Sequence, residues 1–198
     1  KIIELLKLMS MFKMNRFHWH LTDNEAWRLN LSSYPNLTKK LAFRGYNEKI
    51  PGTYGAGFGP TGGFYSKKDI IKIIKFAKNL SIEVMPEIDI PSHCWSLINN
   101  FKELQEDKDK SWEKYKGIYP NNTLNPGLKE TWNFLEKIFL EISNIFPFNI
   151  IHVGFDEIPI NSWTQSPSVK KLMKKYKLAN RDQVQKFFLK KIEKILFK

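Results

Sequence analysis

With 198 residues, 42% of them hydrophobic and 14% aromatic, the chain can fill one core and is too short for two large ones. Its formal net charge of +12 invites a nucleic-acid or anionic-membrane partner, but only four of the 32 basic residues (Arg16, Arg28, Arg44, Arg181) are arginines, the side chain that reads phosphates and bases bidentately. Lysines such as Lys68, Lys72, Lys75 and Lys78 read as a solvated helix face, no apolar run is long enough to cross a bilayer, and the single Cys94 rules out an internal disulfide or a thiolate metal cluster.

In chain order, Lys1–Lys13 predicts an amphipathic helix, with Ile2, Leu5, Leu6, Met9 and Phe12 on one stripe. Asn15–Leu21 alternates as a short strand. A second short strand around Trp27–Leu31 is expected to complete a hairpin, closed by the turn-prone Tyr34-Pro35-Asn36. Arg44–Gly63 holds seven of the ten glycines and reads as one irregular loop. Ser66 and Asp69 have the spacing of a capping box, which opens a helix through Leu80. Ile82–Ile88 is a buried strand, followed by a loop, a short helix and a polar surface excursion over Glu103–Lys116. Asn125-Pro126-Gly127 opens a helix to about Phe146. Asn149–Gly154 is again a strand, and Ser166–Lys177 and Asp182–Phe197 are helices. Both ends read as cut within secondary structure, so 1–198 is treated as a partial domain truncated at each end.

Apolar strands alternating with helices of ten or more residues imply parallel strands with helical crossovers, in an open sheet or a closed barrel. The polar residues favour the barrel. His20 and Asp23 end the first strand, Glu87, Asp89 and His93 the next, and Asp156 and Glu157 the last; barrel strands converge on one site at those ends.

Three segments carry chemistry. Ile150–Glu157 runs an apolar strand into adjacent carboxylates, which is costly unless the acids leave the core for a cleft. Two acids held together in a partly dry place repel one another, so a proton stays on one of them, as a general acid requires. The bland alternative is that the pair caps the following turn. In Phe17–Asp23, His18 and His20 share a strand face, a pattern that fits either structural histidines or zinc ligands of a metal-dependent hydrolase. In Pro86–His93, two prolines set the turn that holds Asp89 and His93 at the strand end, where Asp89 serves either the site or a helix cap.

Taken in order, these segments resemble glycoside hydrolase family 20, the β-N-acetylhexosaminidases. Phe17-His18-Trp19-His20-Leu21-Thr22-Asp23 with Trp27-Arg28 and Tyr34–Thr38 looks like the family's second barrel strand and hairpin. Gly62–Ser66 resembles the approach to its third strand, Pro86–His93 its Pro-Glu-Ile-Asp-x-Pro-Gly-His motif, and His152–Glu157 its His-x-Gly-Gly-Asp-Glu signature. The resemblance implies a (β/α)₈ TIM barrel, of which this chain holds about the second to fourth strands. It implies removal of terminal β-linked N-acetylhexosamine from glycans by a substrate-assisted mechanism, with no cofactor and no metal. It also implies that Asp156 and Glu157 are catalytic, that Asp23, Asp89 and His93 bind substrate or set the charge state of Glu157, and that His20 and His152 support them from behind. A secreted, periplasmic or lysosomal location goes with the family. A non-catalytic sugar-binding relative is the competing class.

Three residues depart from the pattern: Phe155 stands in place of a second Gly, Ser92 in place of the Gly before His93, and Asn24 in place of a frequent second Asp. A phenyl ring at 155 either narrows the sugar pocket or turns behind the strand. The sugar-binding Arg of the family's first strand and its aromatic pocket walls find no match in residues 1–198, so the chain alone is expected to turn over little or nothing.

Overall fold

Three parallel strands organise the molecule. The computed structural model describes residues 1–53 and 55–197. Helix α1 (Ile2–Met11) leads into β1 (Arg16–His20), after which β2 (Thr22–Asp23) and β3 (Ala26–Trp27) form a small antiparallel pair. Helix α2 (Asn36–Leu41) and strands β4 (Phe43–Arg44) and β5 (Thr61–Gly62) follow, then α3 (Lys67–Asn79), β6 (Glu83–Ile90) and α4 (Trp95–Asn100). Helix α5 (Lys129–Ile145), β7 (His152–Gly154), α6 (Pro167–Tyr176) and α7 (Arg181–Leu196) complete the chain.

The sheet order is β1-β6-β7, with both pairings parallel. Parallel neighbours need long crossovers, and α3 and α5 supply them. One face of the sheet is covered by helices. Phe17 and Trp19 from β1 and Val84, Ile88 and Ile90 from β6 share a core with Leu6 of α1, Ile70, Ile73 and Ala77 of α3, and Phe188 and Ile192 of α7. Helix α5 contributes Leu135, Ile138, Phe139, Ile142 and Ile145, whose three- and four-residue spacing puts them on one stripe. Each such side chain contributes about 1.5–3 kcal/mol when fully buried.

Alternation along the strands sends the polar residues to the opposite face. On β1, Phe17 and Trp19 are buried while His18 and His20 are exposed. Glu87 and Asp89, two apart on β6, point the same way as the histidines they meet.

Several elements differ from their sequence expectation. The capping box at Ser66 and Asp69 forms as expected, with the Ser66 side chain accepting from the Asp69 N–H. The hairpin is shorter than its pattern: its second strand is Ala26–Trp27, because residues beyond it bond elsewhere. The Tyr65 N–H donates to the Arg28 carbonyl and the Asn30 N–H to the Tyr65 carbonyl. Tyr34-Pro35-Asn36 is the start of α2, with Pro35 at its N-cap and Leu37 and Leu41 buried one turn apart. The irregular loop 44–63 is tied at its base by the β4–β5 pair and by Arg28, whose Nη1 donates to the carbonyls of Ala42 and Gly63; Tyr54 within it lies outside the described residues. Strand β7 shrinks to His152–Gly154 because it pairs with β6 on one side only. The stretch Glu103–Lys116 is largely exposed but anchored: Glu106 accepts from Asn125 Nδ2, from the Ser168 N–H and from the Ser166 hydroxyl at the start of α6.

Candidate active site

Strands β1, β6 and β7 and the turns that follow them gather all four histidines of the chain, His18, His20, His93 and His152, with the acids Asp23, Glu87, Asp89, Asp156 and Glu157. This matches the expectation that the strand ends converge.

His93 is the hub. Its Nδ1 lies 3.2 Å from Asp23 Oδ1, and its Nε2 faces Glu157 Oε2 at 3.4 Å and Asp156 Oδ1 at 4.0 Å. The hydrogen bond to Asp23 is the largest of several effects that raise the His93 pKa to about 9, outweighing burial; the charges of Asp89, Asp23 and Asp156 act the same way. At neutral pH the ring is therefore a cation, with Nδ1–H donated to Asp23; its buried Nε2 lies at ion-pair distance from the Glu157 carboxyl but makes no hydrogen bond with a described residue. Burial pushes Asp23 up, but hydrogen bonds from His93 and from the Asn24 N–H bring its net value below the usual carboxylate range. Asn24 is not idle at its altered position: its side-chain oxygen accepts from the Trp95 N–H at the start of α4.

Asp89 is buried beneath this pair. Burial is the main cause of its raised pKa, and its Oδ1 has no hydrogen-bond partner among the described residues. Its Oδ2 lies 3.6 Å from His20 Nε2, and that contact, first among the causes, raises the His20 pKa. The Asp89 N–H donates to Thr22 Oγ1 at 2.9 Å, which fixes β6 to β2, and the following helix α4 has Cys94 at its N-cap with no side-chain cap bond, so Asp89 does not cap it. Across from it, Gly154 has φ of +66°, and a Cβ there would strike the Asp89 carboxylate. Glycine is needed at 154 for both reasons.

Glu87 forms a second centre. Its carboxylate takes His18 Nε2 at 2.7 Å and His152 Nδ1 at 2.9 Å, so one buried acid ties β1, β6 and β7 together. His152 Nδ1 is also 3.1 Å from the Gly154 N–H; it donates to Glu87 when protonated and accepts from Gly154 when not. The sequence marks Glu87 only by its place two residues before Asp89, which puts both on one face.

Ligand atoms of His18, Glu87 and His152 lie within 4.8 Å of one another, as do those of His20, Glu87 and Asp89 and those of Asp89, His93 and Asp156. These are the residues that could hold a metal ion. Both members of the His-x-His pair reach Glu87, His18 Nε2 at 2.7 Å and His20 Nδ1 at 4.0 Å, while His20 Nε2 also faces Asp89 at 3.6 Å and His152 joins His18 on Glu87.

Phe155 turns behind the strand. Its side chain packs against the core, with ring centroids 6.2 Å from Phe188 of α7, and it does not line the cleft beside Glu157. That cleft, about 350 Å³, is lined by Asp23, His93 and Glu157 together with Glu25, Arg44, Tyr115 and Tyr119. The last four were not legible as lining in the sequence, because Arg44 belongs to a glycine-rich loop, Tyr115 lies in a polar stretch and Tyr119 beside it.

The chain resembles known proteins throughout. A β-hexosaminidase of Vibrio furnissii is 36% identical over 198 residues, covering 99% of this chain and 32% of that protein. The β-hexosaminidase subunit alpha of Mus musculus is 29% identical, over 95% of this chain and 32% of that subunit. The chain thus spans about a third of the length of these relatives. Among solved structures, the family 20 exo-β-N-acetylglucosaminidase from Vibrio harveyi in complex with N-acetylglucosamine superposes with a TM-score of 0.93 at 36% identity, covering 98% of this chain and 31% of that one. Residues 1–198 match the model of glycosyl hydrolase family 20, catalytic domain, and the chain belongs to that family, whose fold is of the TIM-barrel type.

Proposed function

We propose that this chain supplies the acid and its supporting residues to a β-N-acetylhexosaminidase, which releases terminal β-linked N-acetylglucosamine or N-acetylgalactosamine from glycans. In this reading β1, β6 and β7 are the second to fourth strands of an eight-stranded barrel. The observation that carries the proposal is the line Asp23–His93–Glu157, with Asp156 adjacent, at the ends of three parallel strands.

The adjacent acids divide the work. An ordinary retaining glycosidase places two carboxyl groups about 5 Å apart on opposite sides of the bond, with one as nucleophile. Here the substrate's 2-acetamido oxygen attacks the anomeric carbon. The glycosidic C–O bond breaks as Glu157 gives its proton to the leaving oxygen, and an oxazolinium ring forms. Asp156 accepts a hydrogen bond from the acetamido N–H and opposes the positive charge that develops. Water then adds to the anomeric carbon, its proton goes to Glu157, and the ring reopens with the original β configuration.

Cationic His93 has a defined part. Its Nε2–H faces Glu157 and favours the carboxylate left after proton transfer, while Asp23 holds the ring in place. Asp89 and His20 support this pair from within the sheet, and His152 sets the strand that carries the acids.

The test uses the full-length protein on an aryl N-acetyl-β-glucosaminide. Glu157→Gln should lower kcat by at least roughly 100-fold, the scale of lost general acid catalysis. A thiazoline mimic of the oxazolinium should inhibit competitively. Equal hydrolysis by parent and Glu157→Gln would refute the assigned acid, and an active enzyme that ignores the thiazoline would refute substrate assistance.

A further inference from the structure

We infer that Glu25 is a positioning residue: one buried carboxylate that holds Arg44, Thr53 and Tyr119 against the turn carrying Asp23. Its effect on turnover rests on the hydrolase reading above. Strands β2 and β3 pair Asp23 with Ala26, so Asn24 and Glu25 form a two-residue turn. Asp23 holds His93 Nδ1. Asn24 holds the start of α4, its carbonyl accepting from the Ser96 N–H and its side-chain oxygen from the Trp95 N–H. Glu25 reaches partners 28 and 94 residues away: its Oε1 accepts from the Thr53 N–H at 2.6 Å and from the Tyr119 hydroxyl at 2.9 Å. Its Oε2 faces Arg44 Nη1 at 3.5 Å.

Charge explains why an acid stands there. Glu25 is 4% exposed, and burial pushes its pKa up; the hydrogen bonds from Thr53 and Tyr119 and the charge of Arg44 bring the net value below the usual carboxylate range. Glu25 is therefore an anion at neutral pH. Arg28 and Arg44 both serve the base of the glycine-rich loop, and burial, then the like charge of Arg44, lowers the Arg28 pKa. Glu25 is the carboxylate in ion-pair contact with Arg44 among the described residues. Glu25 Oε2 and Arg44 Nε are buried without a hydrogen-bond partner there, so each group depends on the charge of the other. Removing the acid leaves a half-buried guanidinium uncompensated.

Arg44 and Tyr119 line the cleft beside Glu157 from separate segments of the chain, and Glu25 is the side chain that both reach. Without it the two segments have to be ordered when substrate binds, a cost that appears in affinity. The other end of the turn keeps its own partners: Asp23 on His93, and Asn24 on Trp95 and Ser96. Loss of Glu25 therefore loosens the lining while the Asp23–His93–Glu157 line keeps its geometry.

The experiment uses the full-length protein and an aryl N-acetyl-β-glucosaminide. Glu25→Ala should raise KM roughly tenfold and leave kcat within a few-fold. Hydrogen exchange at the Thr53 amide should speed up roughly tenfold or more, while amides of β1 and β6 keep their parent rates. Glu25→Gln retains an acceptor oxygen for Thr53 and Tyr119 and should recover most of both effects. A kcat that falls as far as kcat/KM, an unchanged Thr53 exchange rate, or a Gln variant no better than Ala overturns the assignment. Should Glu25→Ala fail to fold, Tyr119→Phe removes one donor from the same oxygen: a raised KM at parent kcat supports the role, and an unchanged KM overturns it. Should the parent hydrolyse nothing, the hydrolase reading fails by itself. Thr53 exchange in Glu25→Ala against Glu25→Gln then judges the positioning role.

Discussion

Phe155 packs its ring against Phe188, 6.2 Å between centroids, although its backbone sits at φ of 75°, a region that favours glycine. The half-buried ring packs against the core beside α7, and that packing opposes the backbone strain. Such strain costs about 1–3 kcal/mol, whereas truncating a fully buried aromatic ring costs about 3–5 kcal/mol and a half-buried one less. Phe155→Gly should therefore lower stability by no more than about 2 kcal/mol in urea unfolding of the full-length protein. The same variant should keep kcat within a few-fold, because the ring lies behind the strand and not in the cleft. A gain in substrate affinity of tenfold or more would mean that the ring does narrow the pocket.

The Asp23–His93 contact predicts a pH dependence. His93 has a folded pKa of about 9, above the roughly 6.5 of an unfolded histidine. A raised folded value means that its contribution to stability is complete below pH ~6.5 and is lost as pH rises through about 9. Asp23 has the opposite sign: its lowered value contributes above its unfolded pKa of 3.8 and is lost in acid. Asp23→Asn removes the largest cause of the His93 shift, so the His93 titration followed by NMR should move down from about 9. Burial, which lowers the value, then stands against the remaining charges of Asp89 and Asp156, which raise it. An unmoved titration would show that the hydrogen bond does not hold the proton.

Gly154 and Asp89 make a sharper test of packing. A Cβ at 154 would collide with the Asp89 carboxylate, with the carboxyl carbon at 2.7 Å, and would be strained at φ of +66°. Gly154→Ala should cost roughly 2–4 kcal/mol and disturb the acids that follow it. Gly59→Ala, where an added Cβ meets nothing within 4 Å, is the control and should leave the urea midpoint within error. Equal midpoints for both variants would contradict the close approach of β6 and β7.

The alternating fold and most of the acid cluster were legible because strand period, capping residues and polar strand ends are local signals. Ser66 and Asp69 form their capping box, and Asp23, His93 and Glu157 meet as the strand ends required. The missed features depend on partners distant in sequence. Tyr34-Pro35-Asn36 reads as a turn closing a hairpin until Leu37 and Leu41 are seen buried in α2, and the strand pattern at Trp27–Leu31 yields to hydrogen bonds with Tyr65. Arg44 and Tyr119 both reach Glu25, which lies 94 residues from Tyr119. Whether Phe155 faced the pocket or the helices could not be read locally, since the side chain's direction at a positive φ depends on α7.

Glu87 yields the last prediction. One buried carboxylate receives His18 from β1 and His152 from β7, and β7 leads within a few residues to Asp156 and Glu157. Replacing it with Leu keeps similar bulk but takes the partner from His18 Nε2 and leaves His152 Nδ1 with the Gly154 N–H alone, at roughly 1–3 kcal/mol for a lost buried partner. Glu87→Gln retains one acceptor oxygen and should fall between parent and Glu87→Leu. If the clamp positions the acids, kcat should drop roughly tenfold or more in Glu87→Leu with KM little changed, because the reacting geometry is disturbed more than the binding cleft. If Glu87 served only stability, urea midpoints would fall while kcat of the folded enzyme stayed at the parent level. If it held a metal ion with His18 and His152, treatment of the parent with a strong chelator would reproduce the Glu87→Leu loss. The clamp predicts that chelation leaves both kcat and the urea midpoint unchanged, because its cross-strand links are hydrogen bonds between protein side chains.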